Sequence, residues 1–311
     1  MLDVDVNDLR TTDPARRRDA VATIERAGRG CGAFALQNHG LDEALVARAF
    51  AMTQALYALP LETRMRYRAE GDNLRGYQPL PRSSGDLREK FLVTTAVGPR
   101  DPAARSVMPG DNRWPAEVPA FREAVEACQR ALTALGRTAL CGIAEALGLA
   151  PTAFDDAFDA PGGSCLWLLH YPAAPWVRGE PAQGASAHTD LHPLALIVQD
   201  DQQALEVLSD GAWIAPDPAR QRIVCQMGDM IARWSNEVFH PNVHRVRSPA
   251  SRSRYSLALF MQPALDAVIA PVPSCVSAER PARFAPQTFG ACLTEWFRAL
   301  DEGRAGSVPG V

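Results

Sequence analysis

The sequence predicts a mainly β protein with flanking helices, an α+β architecture in which a helical flank wraps a β core. Three observations predict it. Before residue 160 the apolar residues recur at helical spacing, and after it they gather in short β-rich runs separated by Gly, Pro, Asp and Ser. The chain of 311 residues, 47% hydrophobic and 22% charged, is also long enough to bury one large core. The β-rich runs are "SCLWLLHYP" (164–172), "LALIVQ" (194–199), "ALEVL" (204–208), "RIVCQMGD" (222–229), "NVHRV" (242–246) and "RYSLALFMQP" (254–263), spaced as in a sandwich or barrel.

Each element has a local reason. "LDVDV" (2–6) alternates as a half-buried strand does. "TTDPARRRDAVATIERAG" (11–28) is a helix with Thr12 or Asp13 as N-cap, Pro14 in its first turn and Gly28 as its stop. "GAFALQNHGL" (32–41) is a strand ending in a turn at Asn38, His39 and Gly40. "DEALVARAFAMTQALYALP" (42–60) sets Leu45, Ala49, Met52, Leu56 and Leu59 on one helical face, closed by Pro60. A stretch over 70–115, rich in Gly, Pro, Arg and Asp, holds one strand, "EKFLVTTAV" (89–97). A long helix from Phe121 to Leu147 keeps Phe121, Val125, Cys128, Leu132, Leu135, Ile143 and Leu147 in register ahead of Pro151. The expected division is a helix-and-strand region over 1–115, a linking helix over 116–158 and a β core with C-terminal segment over 159–311, packed as one unit.

Charge and cysteine usage narrow the function. A net charge of −4 and a pI near 5.9 leave no basic footprint for nucleic acid, and "ARRRDA" (15–20) reads as the solvated face of a helix. "MLDVDVNDLRTTD" has no secretory apolar core, and no run approaches the ~20 apolar residues of a membrane helix. Seven cysteines, an odd number with no CxxC pair, indicate neither a disulfide framework nor a zinc knuckle. A reducing, cytoplasmic setting and a small-molecule partner are expected; oligomeric state has no signal.

"GASAHTDLHPLALIVQ" (184–199) carries the chemistry. On a strand, His188 and Asp190 project to the same face, with Thr189 turned away. An imidazole and a carboxylate on one face supply two ligands of a 2-His-1-carboxylate set for non-haem Fe(II). His39, as a turn cap, and His170, facing away from its neighbour Tyr171, are weaker third ligands. His192 would extend the alternation, but Pro193 follows it. His240 and His244 have the spacing of a helical zinc pair, which Pro241 disfavours. His244, between two strand-like runs, is the best third ligand. Ten residues on, Arg254 and Ser256 again share a face, a guanidinium and a hydroxyl suited to clamp a carboxylate, with Tyr171 as a further phenol donor. Iron beside such a clamp is what 2-oxoglutarate needs.

The ordered motifs resemble the isopenicillin N synthase-like family of Fe(II)/2-oxoglutarate-dependent oxygenases. "LDVDVNDL", "GAFALQNHGL", "ALYALPLETRMRY", "RGYQPL", "NRWP", "LLHYP", "AHTD", "LIVQDDQQALEVLSDGAWI", "MGDMIARWSNEVFHPNVHRV", "RYSLALFMQP" and "VSAERPARFAPQTFGACLTEWF" follow the family's order over nearly the whole chain. The resemblance implies a double-stranded β-helix, or jelly roll. It implies Fe(II) on His188, Asp190 and His244, 2-oxoglutarate on Arg254, Ser256 and Tyr171, and dioxygen as co-substrate. Hydroxylation, desaturation or oxidative cyclisation of a small metabolite, such as one of secondary metabolism, would follow, with succinate released. Phe91, Val93, Trp167, His192, Phe260 and Gln262 are the expected pocket walls. After "HTD" the sequence departs from the family, holding His192, Pro193 and Ala195 where small residues and a threonine are usual, which points to altered substrate fit. Three rivals stand: an iron oxidase of this fold that dispenses with 2-oxoglutarate, a non-catalytic binding subunit, and a hydrolase using Ser186, which lacks a nucleophile elbow.

Overall fold

The computed structural model describes residues 1–71, 73–81, 86–95, 110–158, 164–174, 182–219 and 221–301. Strand β1 (Leu2–Asp5) leads into helix α1 (Val6–Arg10) and helix α2 (Pro14–Arg29), followed by β2 (Ala33–Gln37), α3 (Glu43–Ala58), α4 (Leu61–Met65), β3 (Gly76–Gln78) and β4 (Glu89–Thr94). The long helix α5 (Phe121–Ala146) and the short α6 (Asp155–Phe158) precede β5 (Ser164–Tyr171), β6 (Gln183–His188), β7 (Leu194–Gln199), β8 (Leu205–Ser209), β9 (Ala212–Ile214) and β10 (Ile223–Met227). Helix α7 (Asp229–Trp234), β11 (His244–Arg247), β12 (Arg254–Met261), the small pair β13 (Val268–Ile269) and β14 (Gln287–Thr288), and α8 (Phe289–Asp301) complete the order.

Two sheets face each other. The larger has the order β1-β2-β10-β7-β12-β5-β4-β3, and the smaller β6-β11-β8-β9. The N-terminal strands therefore form both edges of the sheet whose centre is built by the second half of the chain. Alternation along β12 divides its environments. Tyr255, Leu257, Leu259 and Met261 face the helical layer, whereas Arg254, Ser256, Ala258 and Phe260 face the space between the sheets. Strands covered on both faces carry near-continuous apolar sequence, and β7 is buried from end to end. On the outer face α5 packs against β12, β7 and β5 and beneath α2 and α3. Gly136 on α5 sits where a Cβ would stand 2.5 Å from the Met261 sulfur, so helix and sheet meet without a side chain between them. This is the expected jelly roll with a helical flank. Among the described residues no helix is long and apolar enough to cross a membrane.

Several elements differ from expectation. Asp13 caps α2 as expected, accepting from the Ala15 and Arg16 amides, but the helix runs through Gly28 to end at Gly30. Gly28 answers to packing instead, since its Cβ would lie 2.6 Å from the Phe239 ring. The buried face of α3 comprises Val46, Ala49, Phe50, Leu56 and Tyr57, leaving Leu45, Met52 and Leu59 half-buried. The aromatic rings rotate the helix inward, and the Tyr57 hydroxyl donates to the Leu168 carbonyl at 2.6 Å. The strand expected over 89–97 ends at Thr94, and residues 96 and 97 lie outside the described residues. Periodicity in the sequence does not mark helix α7 or strands β6 and β9.

Candidate functional site

His188 ends β6 and His244 begins β11, and the two are directly paired in the antiparallel register. Their rings lie 4.3 Å apart between centroids. Asp190 follows β6 rather than lying on it, so its place beside His188 comes from the loop and not from strand alternation. That loop is held closely. The Asp229 amide donates to the Asp190 carbonyl at 2.8 Å, and a Cβ on Gly228 would collide with the same oxygen and with the His192 carbonyl. Only glycine lets the start of α7 approach residues 190–193 this closely.

The three side chains converge with their outer atoms spoken for and their inner atoms free. His188 Nδ1 meets the Ser186 carbonyl at 2.6 Å and His244 Nδ1 meets the Asn242 carbonyl at 3.3 Å. Such bonds fix ring orientation and leave Nε2 as the ligating atom. His188 Nε2 lies 3.8 Å from Asp190 Oδ1, and His244 Nε2 lies 3.8 Å from Asp190 Oδ2. One ligand atom from each residue lies within 4.8 Å of the others. Burial pushes His188 down to about 4, helped by the neighbouring His244, and burial likewise pushes His244 down to about 4. Both imidazoles are thus neutral at neutral pH, the form a metal takes. Asp190 Oδ2 is buried without a hydrogen-bond partner. A buried carboxylate oxygen left unpaired between two free imidazole nitrogens is a donor set that fits a divalent metal ion.

A second buried charge faces the same cavity. Arg254 is 1% exposed, the largest fully buried side chain among the described residues. Its guanidinium donates to Gln199 Oε1 at 3.0 Å and to Ser256 Oγ at 3.5 Å, and lies 4.9 Å over the Tyr171 ring. Its Nε has no partner, and among the described residues no carboxylate pairs with it. Burying an unpaired cation is costly, so the arrangement is that of a receptor for an anion.

The cavity joining these groups measures about 550 Å³ and lies between the two sheets. Trp167, His192 and Phe260 line it, as expected. The Phe260 ring lies 4.8 Å from both Trp167 and His192. Gln262 stands behind the wall, donating from Nε2 to His192 Nε2 at 3.1 Å. Phe91 and Val93 are a correction: both are fully buried on the opposite face of β4, where Phe91 packs edge-on against Phe121 at 5.5 Å. The β4 residues that line the cavity are Lys90 and Leu92, with Arg88 just before the strand. Sequence reasoning misses these, although Arg88, Lys90 and Leu92 have the i, i+2 spacing of one strand face. It misses Gln199 as well. Of the other histidines, His39 accepts from the Leu41 amide in its turn, His240 is exposed, and His170 stacks on Tyr255 at 5.0 Å on the outer face.

Comparison with known proteins decides the family. Residues 4–117 match the model of the non-haem dioxygenase in morphine synthesis N-terminal region, and residues 162–263 match that of the 2OG-Fe(II) oxygenase superfamily. The 2-oxoglutarate-dependent dioxygenase citB of Monascus ruber is 32% identical over 277 residues, covering 84% of this chain and 83% of that protein. The chain belongs to the 2OG-Fe(II) oxygenase superfamily. Its fold is shared by a 2OG-Fe(II) oxygenase family protein of Caulobacter crescentus, with a TM-score of 0.84 and 31% identity over 96% of this chain and 98% of that one. JOX2, solved in complex with 2OG, Fe and JA, superposes with a TM-score of 0.80 and 26% identity over 98% of this chain and 85% of its own. This superfamily member is an oxidoreductase, a dioxygenase that uses Fe(II) and 2-oxoglutarate. The reading that keeps the iron and dispenses with 2-oxoglutarate is accordingly set aside.

Proposed function

We propose that His188, Asp190 and His244 hold the Fe(II), that Arg254 and Ser256, with Gln199 and Tyr171 around them, hold the distal carboxylate of 2-oxoglutarate, and that a small organic substrate docks against Trp167, His192 and Phe260. The observation that carries this reading is the pairing of two unsatisfied buried charges in one cavity. Among the described residues Asp190 faces no charged cation and Arg254 no carboxylate. A divalent metal and a dicarboxylate are ligands of the charges needed to satisfy both.

When bound, the iron and 2-oxoglutarate supply the oxidation: dioxygen is reduced, 2-oxoglutarate is decarboxylated to succinate, and a substrate C–H bond is hydroxylated or desaturated. The chain's own residues do the rest. The carbonyls of Ser186 and Asn242 fix the two imidazoles, and Gly228 holds the Asp190 loop at a set distance. Gln199 and Ser256 orient the Arg254 fork toward the carboxylate. The apolar wall of Ile197, Leu205, Val246 and Ala258 excludes water. Gln262 fixes the tilt of His192, which burial pushes down to about 4, so that this ring presents a neutral edge to the substrate. The seven free cysteines suit a reducing, cytoplasmic setting.

Anaerobic titration with Fe(II) and then 2-oxoglutarate tests the assignment through the weak visible charge-transfer band of the chelate. The band is expected in wild type, absent in His244→Ala and weakened in Arg254→Ala. A band of wild-type strength in His244→Ala would overturn the ligand set. His192→Ala is expected to keep the band and change substrate turnover; loss of iron there would make His192 a ligand.

A further inference from the structure

Of the pocket cations among the described residues that this reading does not use, Arg88 and Lys90, only Lys90 stands without a carboxylate within ion-pair distance. It lies on the cavity face of β4, paired in register with Leu169 on β5, which is in turn paired with Ser256 on β12. Two strand spacings, about 10 Å, therefore separate its backbone from the clamp, which places Lys90 on the side of the cavity away from Arg254. Its ammonium lies 4.6 Å from the centre of the Trp167 ring. Among the described residues it has no carboxylate partner. Its neighbour Arg88 does: Arg88 stands 4.0 Å from Asp86, whose other oxygen accepts from the Ser186 amide at 2.9 Å and hydroxyl at 2.6 Å.

The charges of the cavity can then be counted on the reading proposed above, on which this inference rests. A divalent metal with Asp190 leaves one positive charge. Dianionic 2-oxoglutarate with Arg254 leaves one negative charge, and the two cancel. Arg88 and Asp86 cancel. Among the described residues Lys90 alone remains, a half-buried cation flanked by Leu92 and the Trp167–Phe260 pair. We infer that the substrate is a monoanionic carboxylic acid with an aromatic or otherwise flat apolar body, its carboxylate paired with Lys90 and its body laid on Trp167 and Phe260. A dianion would leave the cavity negative, and an amine would meet a like charge. Burial, reinforced by Arg88, drives the unpaired ammonium down to about 7, so the free pocket holds this charge only weakly and an incoming carboxylate restores it.

The test is anaerobic calorimetric titration of the Fe(II)-loaded protein, first with 2-oxoglutarate and then with three probes of one carbon skeleton: 3-phenylpropionate, 3-phenylpropan-1-ol and 3-phenylpropan-1-amine. Wild type is expected to bind the acid at least about tenfold more tightly than the alcohol or the amine. Lys90→Met, which keeps the linear apolar stem without the ammonium, should lose that tenfold for the acid and leave the alcohol and 2-oxoglutarate unchanged. Equal affinity for acid and alcohol in wild type would overturn the inference without reference to any variant. So would preference for the amine, absence of acid binding up to about 10 mM, or undiminished acid binding in Lys90→Met. Loss of 2-oxoglutarate binding in Lys90→Met would assign the lysine to the co-substrate instead. Failure of wild type to bind 2-oxoglutarate would overturn the underlying reading; 2-oxoglutarate binding without discrimination among the probes overturns only this one.

Discussion

The two faces of the large sheet are made by the same strands and have opposite characters. Along β12 the outward residues Tyr255, Leu257, Leu259 and Met261 lock into the layer formed by α3 and α5, and the packing there is apolar and self-sufficient. The inward residues Arg254, Ser256, Ala258 and Phe260 border a cavity in which, among the described residues, one guanidinium nitrogen and one carboxylate oxygen have no hydrogen-bond partner and the Lys90 ammonium has no carboxylate within ion-pair distance. Stability is concentrated on the first face. The second is left incomplete, and small ligands finish it.

Given that division, damage to each face should register in a different measurement. The largest effect belongs to the inner face: His244→Ala should lower turnover by more than about a hundredfold, measured as succinate release, while the thermal midpoint of the metal-free protein changes little. Next comes the outer face. Leu259→Ala removes a fully buried side chain between helix and sheet and should cost about 2–5 kcal/mol in denaturant unfolding, with 2-oxoglutarate affinity of the folded fraction unchanged. If the same variant abolished co-substrate binding before it unfolded, the faces would not be separable.

Arg254→Leu sharpens the contrast, because it repairs the inner face in the absence of ligand. Co-substrate affinity should fall about a hundredfold, near 2.7 kcal/mol, yet the ligand-free protein should be no less stable than wild type. A clear drop in ligand-free stability would mean that Arg254 is a structural residue paired through Gln199. The smallest effect is the pH dependence at Lys90, which faces Arg88, Asp86, Cys165 and Trp167. Its folded value, near 7, lies below the ordinary lysine value of 10.5. Between the two the unfolded chain binds more protons, so stability rises with pH across that window and is flat below it. Lys90→Met should remove that rise and stabilise the ligand-free protein at neutral pH by about 1–2 kcal/mol, read from denaturant midpoints at about pH 6 and about pH 9. An unchanged slope in the variant would place the lysine in water.

Much of this is legible in the sequence because the residues alternate with contrast. In "RYSLALF" the polar and apolar partners differ enough that the face holding Arg254 and Ser256 can be read directly. The long helix from Phe121 is legible for the same reason, since its buried residues repeat at one spacing. In "REKFLVT" the contrast fails: Phe91, Leu92 and Val93 are all apolar, and a strand covered on both sides offers no polar face to orient it. A one-residue choice then exchanges the two faces, which is why the sequence points Phe91 and Val93 into the cavity and passes over Lys90. Strand alternation alone would set Asp190 beside His188. The contact is instead made by a loop held at Gly228, a long-range approach that no local pattern encodes. Helix α7 is short and buried nearly throughout, so it has no amphipathic stripe to read.

The cavity's wall draws on separate parts of the chain. Leu74, Gln78, Asp86, Arg88, Lys90 and Leu92 come from one segment, whereas His188, Asp190, His244 and Arg254 all lie far downstream of it. Because β3 and β4 form an edge of the sheet, Lys90 and Leu92 stand on a different strand from every proposed iron or co-substrate contact, whereas Asp86 is tied to Ser186 beside His188. The part of the recognition surface that β4 supplies is thus separable from the oxidising machinery, so changing Lys90 or Leu92 would alter the molecules accepted while leaving the reaction untouched, whereas Trp167, His192 and Phe260 share their strands and loop with it.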